Sequence, residues 1–240
     1  MAKVSELMNR AARECRLKPP LAWVPATGQS FQDMKDYLSE TVEELQERLD
    51  WPNPITLDLT IVGSGAENYP LPADFLRVTR DELAVYEPTT TRRACIPITS
   101  NGAWSHLKQL GSAAGNRYYR IQGSDGAFSI GFYRPLEANQ QVIVSYVSKN
   151  WNVAKGERQS SWDDEDADIL FPSDLVRIGV VWRFRRAKGM PYADRLNEYE
   201  GRLSRLINDA RGIRTICFGD APVMRSPFDI PVPDFIPPRG

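Results

Sequence analysis

Apolar residues in this chain recur with two different periods, and that change of period restricts the fold more than any single motif. Near both ends they step by three or four, the repeat of one helix face. In the middle they alternate, the repeat of a half-buried strand. Val4, Leu7, Met8, Ala11, Ala12 and Cys15 predict a first helix, stopped by Pro19 and Pro20. Phe31, Met34, Leu38, Val42, Leu45 and Leu49 predict a second. Ser30 is its expected N-cap, with Asp33 and Asp36 near the positive end, and Pro52 and Pro54 end it after Trp51. Leu175, Val176, Ile178, Val180, Val181, Trp182 and Phe184 surround a third long helix that stops at Lys188-Gly189. Tyr192, Leu196, Tyr199, Leu203, Leu206 and Ala210 form a one-sided stripe on a fourth, closed by Gly212.

Between these pairs, Ile55, Leu57, Leu59 and Ile61 alternate with Thr56, Asp58, Thr60 and Val62, which reads as a strand. Further strands are expected at 77–79, 83–86, 95–98, 118–122, 127–133 and 141–147, with a short helix at 102–110. Gly63-Ser64-Gly65 and Ser124-Asp125-Gly126 mark turns, the second a hairpin. Short strands with frequent turns suggest an antiparallel sandwich or small barrel. The fold class that follows is α+β: a helical bundle built from both ends, with an inserted antiparallel β domain and an extended C-terminal arm. The expected units are 1–54 with 168–213 (bundle), 55–150 (β domain), 151–167 (acidic linker) and 214–240 (Pro-rich arm).

Composition narrows the function. Thirty basic and 31 acidic side chains leave a net charge of −1, and 42% of residues are hydrophobic. This is the profile of an ordinary soluble domain rather than a dedicated nucleic-acid binder. The start of the chain leads into no signal-peptide core, and no apolar run is long enough to span a membrane. Cys15, Cys95 and Cys217 are odd in number and widely spaced, as in a reduced compartment. The single histidine, His106, rules out sites that need two imidazoles. Neither a cofactor nor a metal is expected, and the chain does not read as an enzyme.

Several clusters have residue types that could carry chemistry. The acidic run Asp163-Asp164-Glu165-Asp166-Ala167-Asp168 lacks the glycine and the spaced glutamate of a calcium loop, so it reads as a solvated loop. Ser105 and His106 lie in no nucleophile-elbow motif. Gly63-Ser64-Gly65 has too few glycines to cradle phosphate. Arg183, Arg185, Arg186 and Lys188 form a basic patch with two readings. One is compensation of a helix C-terminus; the other is contact with a negative surface, phosphate backbone or an acidic partner. A carboxylate-dependent, glycosidase-like hydrolase stands as an alternative, requiring an Asp/Glu pair about 5–10 Å apart in a cleft. Six of the 18 prolines lie in residues 219–240, yet Phe228, Ile230, Val232, Phe235 and Ile236 are apolar there. An extended apolar segment of this kind reads as a docking arm that adds to a sheet edge or fills a groove on a partner.

The chain resembles the head-to-tail adaptor proteins (connectors, or tail accessory factors) of tailed bacteriophages. The likeness lies in the second helix ending Leu49-Asp50-Trp51, the segment Tyr69-Pro70-Leu71-Pro72-Ala73-Asp74-Phe75-Leu76-Arg77, the stretch Asp168–Leu175 running into Trp182–Gly189, and Tyr192 with Tyr199-Glu200. The resemblance implies a virion structural protein. It implies a homo-oligomeric ring, commonly a dodecamer, that joins the portal protein to tail or neck proteins and forms part of the DNA channel. Contact with packaged DNA would be non-specific. The implied location is the virion neck, with assembly in the host bacterial cytoplasm. Another neck component, such as a stopper, is a further alternative that the long helices disfavour.

Overall fold

A computed structural model describes residues 2–52, 54–88, 93–110, 117–124 and 126–211. Cys217 and the arm residues Phe228, Ile230, Val232, Phe235 and Ile236 lie outside them. The described residues contain five helices: α1 (Val4–Glu14), α2 (Gln29–Arg48), α3 (Asn101–Leu110), α4 (Ser173–Ala187) and α5 (Ala193–Arg211). They alternate with strands in a mixed α+β chain, as the two periods require.

Helix α4 packs against α1, α2 and α5. Its Leu175, Val176, Ile178, Val180, Val181 and Phe184 are all buried, which accounts for apolar residues around most of its circumference. Gly179 permits the approach to α2. A Cβ there would lie 2.3 Å from Thr41 Cγ2 and 3.2 Å from Tyr199 Cε2. One hydrophobic cluster joins these four helices to Trp23, Trp51, Ile55, Trp151 and Phe171.

The ends of α2 differ from expectation at one side and explain a motif at the other. Ser30 lies inside the helix; Gly28 is the N-cap and supplies no side-chain bond. Its carbonyl accepts the N–H groups of Phe31 and Gln32 instead. At the C-terminus, the carbonyls a helix leaves unpaired are each taken by a side chain. Trp51 Nε1 donates to Leu45 O (2.7 Å), Arg77 to Gln46 O (2.7 Å) and Leu49 O (3.4 Å), and Arg80 to Glu47 O and Arg48 O. Asp50 fixes both arginines, accepting from Arg77 Nη1 (2.5 Å) and the Arg80 N–H (2.7 Å).

The strands of the middle region are β1 (Thr56–Val62), β2 (Asn68–Pro70), β3 (Phe75–Val78), β4 (Val85–Glu87), β5 (Arg93–Ala94), β6 (Ile96–Pro97), β7 (Tyr118–Gln122), β8 (Ser129–Phe132) and β9 (Gln141–Ser148). A five-stranded sheet runs β1-β9-β4-β5, with β3 also on β9; a four-stranded sheet runs β2-β8-β7-β6. Both sheets contribute to a second cluster, with Ile61, Phe75, Val144 and Tyr146 from the first and Tyr69, Tyr119, Ile130 and Phe132 from the second.

Two details depart from an all-antiparallel reading. β6 and β7 pair in parallel, connected through α3. The strand expected at 95–98 is divided between sheets. Ala94 pairs in the first, Ile96 in the second, and the buried Cys95 is the crossing point. β7 and β8, on either side of the expected hairpin turn, pair in antiparallel register; Asp125 of that turn lies outside the described residues.

Residues 151–167, expected as a linker, carry β10 (Asn152–Ala154) and β11 (Glu157–Gln159), which pair with β12 (Asp168–Ile169) in a three-stranded sheet. The β10–β11 turn is Lys155-Gly156, both at positive φ, the conformation that suits a two-residue hairpin loop. Trp151, Ala154 and Ala167 belong to the helical core.

Candidate functional site

The basic patch is not one surface. Arg183 is largely covered between helices, stacked 4.5 Å from the Trp182 ring centroid and 5.9 Å from that of Tyr199. It pairs with Glu44 and donates to Thr41 Oγ1 (3.0 Å) and Gly179 O (3.2 Å). Arg185 donates to Glu14 O (2.8 Å), and Lys188 pairs with Asp33 at 2.8 Å. The Arg186 side chain is exposed. Arg48 extends the cluster, binding Glu44 at 2.7 Å and both oxygens of Glu200 at 2.8 Å. Trp182, Arg183, Tyr199 and Glu200, separate in sequence, therefore meet where α2, α4 and α5 join. Burial, and then the nearby Glu44 carboxylate, push the Tyr199 phenol up.

The acidic run is likewise occupied internally. Glu165 Oε1 accepts the Val24 N–H (2.5 Å), Asp166 pairs with Lys3, and Asp164 pairs with Lys155 at 3.2 Å. Ala167 O accepts the Val4 N–H at 2.9 Å. The run clasps the start of α1 and the loop before α2. Among the described residues no His/Cys/Asp/Glu group is arranged to hold a metal ion.

Ser105 and His106 are adjacent, exposed positions on α3, and neighbours in a helix do not face each other. The amides of Gly63, Ser64 and Gly65 bond to Gln140 O, the Tyr69 hydroxyl and Leu136 O, so this turn has no N–H left for phosphate. Burial holds the Cys15 thiol up at about 11. Burial, then the charge of Glu87, holds that of Cys95 up at about 12. Iodoacetamide at pH 8 is expected to leave both unmodified in the native protein and to modify both in denaturant, read by peptide mass spectrometry. Rapid native labelling of Cys95 would contradict its place at the crossing between sheets.

Three larger concavities lie among the described residues. A cleft of about 440 Å³ between α2 and the β region is lined by Glu43, Glu47, Phe75, Phe128 and Trp151 among others. Glu43 and Glu47 are exposed and stand one turn apart on the same helix. A glycosidase pair flanks its bond from both sides, whereas these carboxylates share one wall.

The second, a groove of about 510 Å³, lies where α5 ends, lined by Leu49, Trp51, Pro54, Ile55, Phe171 and Leu206 among others. The third, a hollow of about 500 Å³ bearing Arg202, Arg205 and Asp174, adjoins it across Pro172, Leu206 and Asp209. The apolar groove was not anticipated. Its signals were a tryptophan and two prolines directly after α2, and a Leu206 stripe position with no helix left to cover it.

The segment 69–77 acts as a joint. The Asp74 carboxylate accepts the Ser148 hydroxyl (2.6 Å) and the Tyr146 hydroxyl (3.3 Å). Phe75 packs 5.3 Å from Phe128 and 5.7 Å from Tyr146, and Arg77 reaches back to α2. Among the described residues no helix is long and apolar enough to cross a membrane.

Among the described residues, ion pairs such as Arg48–Glu200, Arg177–Glu14 and Arg183–Glu44 tie separate helices together. The chain belongs to the SU10 adaptor protein family, whose model matches residues 2–224. It is thereby placed among the structural adaptor proteins of phages. No curated protein sequence matches it significantly.

Proposed function

We propose that this chain is the head-to-tail adaptor subunit of a phage neck. Identical copies form a ring, commonly of twelve, that docks on the portal protein, receives the tail or neck proteins and surrounds part of the DNA channel. The family match over residues 2–224 carries this reading, because it spans both helical ends and the whole β region. Two separate hydrophobic clusters support a division into a helical part and a β part, the first for subunit packing and the second toward the tail. The arm residues Phe228, Ile230, Val232, Phe235 and Ile236 dock on the portal or a neighbouring subunit. Arg186 and Lys188 are the exposed members of the basic patch; Lys188 is paired with Asp33, which leaves Arg186 as the better candidate to meet phosphate or an acidic partner. The protein is not an enzyme in this reading and works in the virion neck after assembly in the bacterial cytoplasm.

The test is portal binding by the full chain and by a chain ending at Phe218. The full chain is expected to decorate purified portal rings, with ring order counted by electron microscopy. The shorter chain is expected to keep its circular dichroism spectrum and lose binding. Unchanged binding would remove the arm's role, and a full chain that never binds portal rings would remove the adaptor assignment.

A further inference from the structure

β1 is an edge strand. Among the described residues it pairs with β9 alone, over all of Thr56–Val62. The flanking bonds set which groups face outward. Ser148 N–H bonds to Ile55 O and Gly63 N–H to Gln140 O, so odd-numbered residues of β1 bond to β9. The N–H and C=O groups of Thr56, Asp58, Thr60 and Val62 therefore line the open edge. Side chains follow the same parity. Leu57, Leu59 and Ile61 face the second core, Leu57 and Leu59 only half covered, whereas Asp58, Thr60 and Val62 are exposed.

The arm carries a matching pattern. Pro227, Pro231, Pro233 and Pro237 are all odd-numbered, while Phe228, Ile230, Val232 and Ile236 are even-numbered. In an extended chain this parity leaves one edge short of donors and keeps every N–H on the other. The apolar side chains then share one face. Phe235, on the proline face, is the exception.

We propose that residues 227–237 add to the open edge of β1 as a parallel strand of the same subunit, reached through the apolar groove at the end of α5. This rests on the reading of 219–240 as a docking arm and adds where the arm lies in the free subunit, before it is handed to the portal or a neighbour. Orientation follows from parity. In an antiparallel pair the even-numbered residues oppose each other, which would set Phe228, Ile230 and Val232 beside Asp58 and Thr60 on the solvent face. In a parallel pair they lie beside Leu57, Leu59 and Ile61 and extend the core, with the prolines outward. The path agrees. Leu206 and Asp209, near the end of α5, line the groove together with Ile55, the residue before β1. A chain leaving α5 thus meets β1 at its N-terminal end. Residues 212–226 can span about 50 Å at ~3.3 Å per residue, ample for the route. Main-chain pairing supplies affinity, and the tether raises the local concentration of the arm.

Amide exchange measured by NMR tests this in the full-length protein. The amides of Thr56, Asp58, Thr60 and Val62 are expected to exchange at least about tenfold more slowly than in the chain ending at Phe218, by the ordinary protection of a paired strand. Leu57, Leu59 and Ile61 should be unchanged. Val232→Pro, which removes a donor from the pairing edge, is expected to abolish that protection. Asp229→Pro, on the edge already short of donors, should leave it intact. A nitroxide on Arg239→Cys, in a Cys217→Ser background, should broaden Val62 and Gly63 rather than Thr56. Equal effects of the two proline variants, broadening at Thr56, or no protection at the even positions would overturn the proposal. Protection lost on dilution would assign the strand to a neighbouring copy and overturn the intramolecular contact. If the shortened chain fails to bind portal rings while β1 exchange is the same in both chains, the arm stands and this docking site falls.

Discussion

Replacing Arg183 by alanine is expected to cost about 3 kcal/mol and lower Tm by about 6–12 °C. The guanidinium fills the space between Trp182 and Tyr199, neutralises Glu44 and bonds Thr41 Oγ1 and Gly179 O. Its side chain is 10% exposed, so solvent cannot replace these partners. Lysine keeps the charge but loses the planar fork and much of the stacking, and should fall between the two. Denaturant titration of the three proteins provides the comparison. A loss below about 1 kcal/mol for alanine is what a surface cation gives, and would return Arg183 to an outward-facing role.

Phe75→Ala is expected to cost about 3–5 kcal/mol, the range for truncating a buried aromatic ring. Phe75 is 2% exposed and touches Phe128 and Tyr146 in the second core. Its neighbours Asp74 and Arg77 hold Ser148 and the end of α2. The effect should therefore reach beyond the local strand. Amide exchange should quicken both in β3–β9 and in the last turn of α2. Quickening confined to the β strands would show that the two cores are held together independently of this segment.

Much of the helical part was legible because an amphipathic stripe needs only sequence spacing. The burial of Val4, Leu7, Met8, Met34, Leu38, Val42 and Leu45 follows directly from that period. β1, β9 and the β7–β8 hairpin were legible for the same reason. The parallel β6–β7 pair was not, because two-residue strands carry no measurable period and their partner lies past a helix. The start of α2 was misplaced because Ser30 has the chemistry of a cap, while the chain enters through Gly28. Charge clusters were the least legible. Arg183, Arg185 and Lys188 look like a patch in sequence, but their partners Glu44, Glu14 and Asp33 lie on α1 and α2, more than a hundred residues away. Linear spacing holds no information about such pairs.

The end of α2 also sets how the molecule responds to pulling. Arg77 and Arg80, from the β region, grip consecutive carbonyls around one helix terminus, and Asp50 locks both. These bonds share one helix terminus, so separating the β region from α2 would require several of them to break. In the proposed role of a joining subunit, load could then pass between the two cores through this terminus without separating them.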